Sequence, residues 1–140
     1  MILLDTNVIS EPLRAIPTTS VIAWIDAQPL ETLCLSAITV AGMRAGVALL
    51  PEGKRKAFLR ENLEGKILPM FSGRVFPFDI SCADAYARLI AQTRAAGVAV
   101  DAADAFIAAI ALANKFAIAT RDTSPFIASG ITVINPWDDF

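Results

Sequence analysis

Three aspartates stand where a carboxylate can do chemistry: Asp5, Asp104 and Asp122. Asp5 ends the apolar run Ile2-Leu3-Leu4, and Asp122 closes a second such run, Phe116 to Thr120. Both runs are apolar on both faces, as central parallel strands are. Each acid therefore falls at the carboxyl end of a strand, where open parallel sheets bind ligands. Asp104 lies in the first turn of a nearly uncharged segment, Asp101 to Asn114, that reads as a buried helix. A carboxylate there is costly unless it is paired, bound to a cation or exposed at the helix end. If the two strands are neighbours and the helix starts beside them, all three carboxylates share one crevice. Close like charges then raise each other's pKa, and a divalent cation relieves them. Taken singly, each acid also fits a plainer role, as a turn residue or a complement to a helix dipole.

Composition narrows that chemistry. The chain has no His, which excludes Ser-His-Asp triads, Cys-His dyads and His-ligated zinc. Its two cysteines, Cys34 and Cys82, form no metal-type pair and read as buried thiols in a reducing compartment. With oxygen donors alone, Mg²⁺ or Mn²⁺ is the natural ion. The net charge of −2 argues against holding nucleic acid by bulk positive charge. Mean hydropathy is high at +0.55. Even so, the longest apolar run contains Asp104, Asn114 and Lys115 and falls short of a membrane span. MILLDTN lacks the basic start of a secretory signal. A cytoplasmic protein with no membrane contact is expected.

The elements that must position these acids follow from apolar spacing and punctuation. A strand over Ile2–Leu4 is followed by a helix over Val8 to Leu13, which Pro17 closes, and by another over Val21 to Ala27, ending before Pro29. Thr32 to Leu35 reads as a strand, with Ser36 capping a helix that stops at Pro51-Glu52-Gly53. Lys54 to Leu63 is amphipathic and basic. Val75 to Phe78 reads as an edge or irregular strand because of Pro77. A helix from Ser81, its cap, to Ala96 is closed by Gly97, and the last strand is Ile131 to Ile134. Strands alternating with helices imply an α/β fold with a parallel sheet, in one domain over residues 1–140.

Five segments in order, MILLDTNVIS, LSAITVAGMRAGVALLPEGKR, DAADAFIAAIALA, ATRDTSPF and INPW, resemble PIN-domain ribonucleases. The resemblance is closest to the VapC/FitB-like toxins of bacterial toxin–antitoxin pairs, and it spans essentially the whole chain. It implies a three-layer α/β/α fold and a metal-dependent endoribonuclease that dimerises and is held inactive by a cognate antitoxin. Any DNA contact is expected only through that antitoxin. By the same resemblance Asp5, Asp104 and Asp122 match the first, third and fourth metal-binding acids, and Thr6, Asn7 and Thr120 match the polar positions beside them.

The departure is Gly42. The family usually carries a glutamate there, and this chain reads Val40-Ala41-Gly42-Met43-Arg44. A glycine inside a helix costs roughly 1 kcal/mol relative to Ala, so helix formation does not explain it. Close packing together with Gly46 is one explanation. A lineage that has lost activity, or an inactivating change carried because the active toxin harms its host, are two others. Asp101, three residues before Asp104, either substitutes in part for the missing acid or caps the helix.

RNA must also be held. Arg44 to Arg74 contains seven of the twelve basic residues and is net +4. Arg44, Lys54, Arg55, Lys56 and Arg60 are its candidates for phosphate or antitoxin contact, unless they form a merely solvated face. Trp24 and Trp137 read as core or interface residues rather than base-stacking platforms. Two functions compete: a nuclease toxin weakened at Gly42, and a catalytically dead PIN fold that binds antitoxin. A phosphotransfer domain is a weaker third, because haloacid-dehalogenase-like enzymes need a second Asp where this chain has Asn7.

Overall fold

The computed structural model describes residues 1–138. Five short strands, β1 (Ile2–Leu4), β2 (Leu33–Ser36), β3 (Val75–Phe76), β4 (Ala117–Ala119) and β5 (Val133–Ile134), form one parallel sheet in the order β3-β2-β1-β4-β5. In register, Leu4 pairs with Ala119 across β1 and β4, and Leu3 with Cys34 across β1 and β2. Strand order reverses at β1, so the crevice at its carboxyl end is the topological switch point where such sheets take ligands.

Side chains alternate across the sheet and so build two cores. Leu3, Cys34 and Ile118 face one side, against Cys82 and Leu89 of α6 (Ile80–Ala95), Ile107 and Ile110 of α7 (Ala102–Asn114) and Phe126. Leu4, Leu33, Leu35 and Ala119 face the other, against Val8 and Ile9 of α1 (Thr6–Ile9), Met43 of α3 (Ala37–Ala48), Leu63 and Phe71. Trp24, on α2 (Thr19–Ala27), and Trp137 pack on this second core, as expected of core residues. The three-layer α/β/α arrangement expected from the sequence is the one observed. Among the described residues no helix is long and apolar enough to cross a membrane.

Several local expectations need correction. The helix over 8–13 is two separate turns, α1 and a 3₁₀ turn Glu11–Leu13, because Pro12 has no N–H with which to continue α1. Ser81 is not a cap. Asp79 caps α6: its carboxylate accepts from Cys82 N at 3.3 Å and from Ser81 Oγ at 2.6 Å, so the helix starts at Ile80. Gly42 and Gly46 do not serve close packing, since a Cβ at either would meet nothing within 4 Å. Both cysteines are free and buried, and burial pushes the Cys34 thiol up to about 11.

The basic segment folds as α4 (Lys54–Asn62), then a π-turn over Leu63–Ile67 and the short α5 (Leu68–Met70). Two of its five candidate cations are engaged within the chain. Lys56 is only 8% exposed, and its Nζ donates to Ala48 O at 3.2 Å and to Glu52 Oε1 at 2.7 Å. It thereby satisfies a carbonyl left over at the end of α3. Arg44 grips Glu64 with two bonds of 2.7 and 3.0 Å. Lys54, Arg55 and Arg60 are exposed and form no ion pair among the described residues.

Candidate active site at the sheet switch point

Asp5 is the first residue beyond β1 and is 5% exposed. Its backbone N donates to Ala119 O at 2.9 Å, continuing the β1–β4 ladder by one bond. That extra bond sets Asp5 beside Thr120, the first residue beyond β4. Thr120 Oγ1 donates to Asp5 Oδ2 at 2.8 Å, and Thr6 N donates to Asp5 Oδ1 at 2.8 Å as α1 begins. The same Thr120 hydroxyl accepts from Asp122 N at 3.1 Å and from Asn7 Nδ2 at 3.4 Å. Asn7 Oδ1 in turn accepts from Arg121 N at 3.3 Å. Residues 5–7 and 120–122, more than a hundred positions apart, are thus bound into one polar unit.

Asp104 enters from the first turn of α7. Asp101 is the N-cap of that helix, its Oδ1 accepting from Asp104 N at 2.9 Å. Of its two expected roles, capping is the one made by hydrogen bond, and its charge also reaches the site. Burial, foremost, raises the Asp5 carboxyl, against the hydrogen bonds from Thr120 and Thr6, and the charges of Asp122 and Asp101 add to it. Asp104 is pushed up to about 6, first by burial and then by Asp101, Asp5 and Asp122. The charges of Asp122 and Asp101 thus act on both Asp5 and Asp104, and that of Asp5 acts on Asp104. Among the described residues they do not form a preassembled group of three metal-binding side chains, and none of the four makes an ion pair.

The donor set fits a hard divalent cation. It consists of carboxylates alone, one of them buried, with none in an ion pair among the described residues, and their shared repulsion is what a bound cation would remove.

Gly42 opens onto a cavity of about 350 Å³ between α1, α3 and α4, lined among others by Thr6, Ser10, Arg14, Gly46 and Arg55. Thr6 adjoins Asp5, so a side chain at position 42 would project into space bordering the site. The carboxylates themselves do not line this cavity. Of the basic candidates, only Arg55 lies against it.

Sequence reasoning missed one pairing at the rim. The Arg121 guanidinium lies over the Trp137 ring, 5.2 Å from its centroid. Nothing in a stretch of sixteen residues signals that contact. Trp137 Nε1 is the one buried side-chain nitrogen or oxygen without a partner among the described residues.

The PIN domain model matches residues 2–128, nearly the whole chain, including Asp5, Asp104 and Asp122. The chain belongs to the PIN-domain family. It is 67% identical to the plasmid stability protein StbB of Pseudomonas syringae pv. tomato, over 99% of both chains. It is 54% identical to the VapC ribonuclease Y4jK of Sinorhizobium fredii, again over 99% of both. Toxin FitB of Neisseria gonorrhoeae is 52% identical over 99% of this chain and 100% of its own. In structure the PIN fold matches the solved FitAcB of Neisseria gonorrhoeae with a TM-score of 0.94, covering 98% of this chain and 99% of that one. Among PIN domains, then, this chain is of the VapC/FitB toxin type.

Proposed function

We propose that this chain is a metal-dependent endoribonuclease toxin whose metal site is one acid short, at Gly42. The observation that carries the reading is the Thr120–Asp5 bond at the switch point, with the charges of Asp122 and Asp101 acting on both Asp5 and Asp104. Asp5 and Asp104 would hold Mg²⁺ or Mn²⁺, and Asp122 would complete the set directly or through water. When bound, such an ion polarises the scissile phosphate and lowers the pKa of the attacking water.

The chain's own residues do the positioning. Thr120 orients Asp5 and leaves Oδ1 facing the start of α1, where Thr6 N holds it. Asn7 ties the β1 and β4 ends together, so the two acids that follow those strands keep their spacing. Asp101 fixes the first turn of α7 and with it Asp104. With Gly42 in place of an acid, metal affinity and water orientation are both weakened, and activity is low.

The partners proposed are RNA as substrate, a cognate antitoxin and a second copy of the chain, with DNA reached only through the antitoxin. A structure of the relative FitAB is bound to a DNA fragment, which is consistent with that order. Two observations favour a second reading, a catalytically silent module that still binds antitoxin. Gly42 presents open space, and no group of three metal-binding side chains stands assembled among the described residues.

RNA cleavage in Mn²⁺ by this chain and by Gly42→Glu, each repeated with EDTA, separates the two. Faster EDTA-sensitive cutting by the variant supports the nuclease reading. No cutting by either, with antitoxin binding intact, supports the module.

A further inference from the structure

The carboxylate site has an electrostatic difficulty that its acids cannot solve by themselves. Asp5, Asp101, Asp104 and Asp122 make the crevice strongly negative, and a single-stranded RNA brings a charge with every nucleotide. A cation at the crevice must offset that repulsion, and the basic residues of α4 reach only the neighbouring cavity, through Arg55.

Arg121 stands within the site unit itself. It lies between Thr120, which donates to Asp5, and Asp122, and Asn7 Oδ1 pins its backbone N at 3.3 Å. Its side chain is exposed and makes no ion pair among the described residues, although an aspartate follows it directly. The guanidinium lies on the Trp137 ring at 5.2 Å. Stacking occupies a guanidinium's face and leaves its N–H edge free for the two parallel bonds a phosphate accepts. Trp137 is itself held, partly buried against the second core and by its backbone N donating to Asn135 Oδ1 at 3.0 Å. The cation is thus held in place before RNA arrives, which lowers the ordering cost of the contact.

We infer that Arg121, held on Trp137, is a substrate-positioning residue that grips the RNA phosphate neighbouring the one at the carboxylates. This rests on the nuclease reading for its substrate, but its test does not depend on catalysis. The geometry assigns Arg121 one phosphate, so it contributes one released counterion. For single strands the slope of log K against log salt is about −0.7 per neutralised phosphate.

The experiment is fluorescence anisotropy of a labelled single-stranded RNA in EDTA, across a salt series, with the wild-type chain, Arg121→Ala, Arg121→Lys and Trp137→Phe. Arg121→Ala is expected to bind several-fold more weakly at low salt, with a slope shallower by about 0.7. Arg121→Lys restores the slope, since it keeps the charge, and binds more weakly than wild type, since it loses the fork and the stack. Trp137→Phe keeps the slope. If wild type and Arg121→Ala bind with equal affinity and equal slope, the inference is overturned while the nuclease reading stands. If the wild-type chain binds no RNA in EDTA, the inference is overturned, and the nuclease reading is decided separately by cleavage in Mn²⁺.

Discussion

Thr120 Oγ1 donates to Asp5 Oδ2 at 2.8 Å across the β1–β4 boundary. That bond joins the ends of two strands that are far apart in sequence, and it is fully buried. Thr120→Val keeps the shape and removes the donor, so Asp5 keeps only the bond from Thr6. A buried hydrogen bond to a charged group is worth about 1.5–3 kcal/mol, and urea unfolding at neutral pH is expected to show a loss of that order. Thr120→Ser restores most of it. Equal stability of Thr120→Val and wild type would mean that the bond does not hold the site.

Protonation gives a second prediction. The Asp5 carboxyl is raised and the Asp104 carboxyl lies at about 6, both above the ordinary carboxylate value of 3.8. A group raised on folding favours the folded state while protonated. The Asp104 contribution is complete below about pH 4 and is lost as pH climbs through about 6, and the raised Asp5 carboxyl acts in the same direction. Metal works against this, because only the ionised acids bind it. Mn²⁺ should therefore raise the melting temperature more at pH 7 than at pH 5. Asp104→Asn should flatten the difference, and an equal Mn²⁺ effect at both pH values would refute the assignment.

Position 42 makes a prediction about stability alone. Gly42 sits inside α3, where Ala is better by roughly 1 kcal/mol, and a Cβ there meets nothing within 4 Å. Gly42→Ala is expected to raise the unfolding free energy by about that amount, seen as a higher urea midpoint, with no change in RNA cleavage. A destabilised variant would show that the open space beside Thr6 is filled in solution.

Lys56 separates structure from binding within the basic segment. Its ammonium is buried against Ala48 O and Glu52, so Lys56→Ala should cost about 1 kcal/mol of stability and leave the salt slope of RNA binding unchanged. Arg55→Ala and Arg60→Ala, both at exposed positions, should do the reverse. A shallower salt slope for Lys56→Ala would place its ammonium on RNA after all.

Much of this was legible in the residues, and what was not has physical causes. The two-sided apolar runs at Ile2–Leu4 and around Ile118 announce central strands, because only a strand covered on both faces tolerates them. The acids that end those runs announce the site for the same reason. Asp104 stood out as a charge on an otherwise apolar helix. The Ser81 cap misled because Asp79 and Ser81 both have capping side chains, and only the hydrogen bonds decide between them. Close packing was one of the explanations open for Gly42 with Gly46, one helical turn apart, yet α4 stands off and leaves a cavity. The Arg121–Trp137 contact joins the segments that follow β4 and β5, strands brought side by side only in the folded sheet, which no local pattern encodes.

The central claim is that Asp5, Asp104 and Asp122 form a hard-metal site lacking its fourth acid at Gly42. Its most direct test is Mn²⁺ titration by isothermal calorimetry at pH 7 on the wild-type chain, Gly42→Glu and Asp104→Asn. The account predicts weak binding by wild type, binding at least about tenfold tighter by Gly42→Glu, a gain of about 1.4 kcal/mol, and none by Asp104→Asn. Equal Mn²⁺ affinity in wild type and Asp104→Asn would contradict it.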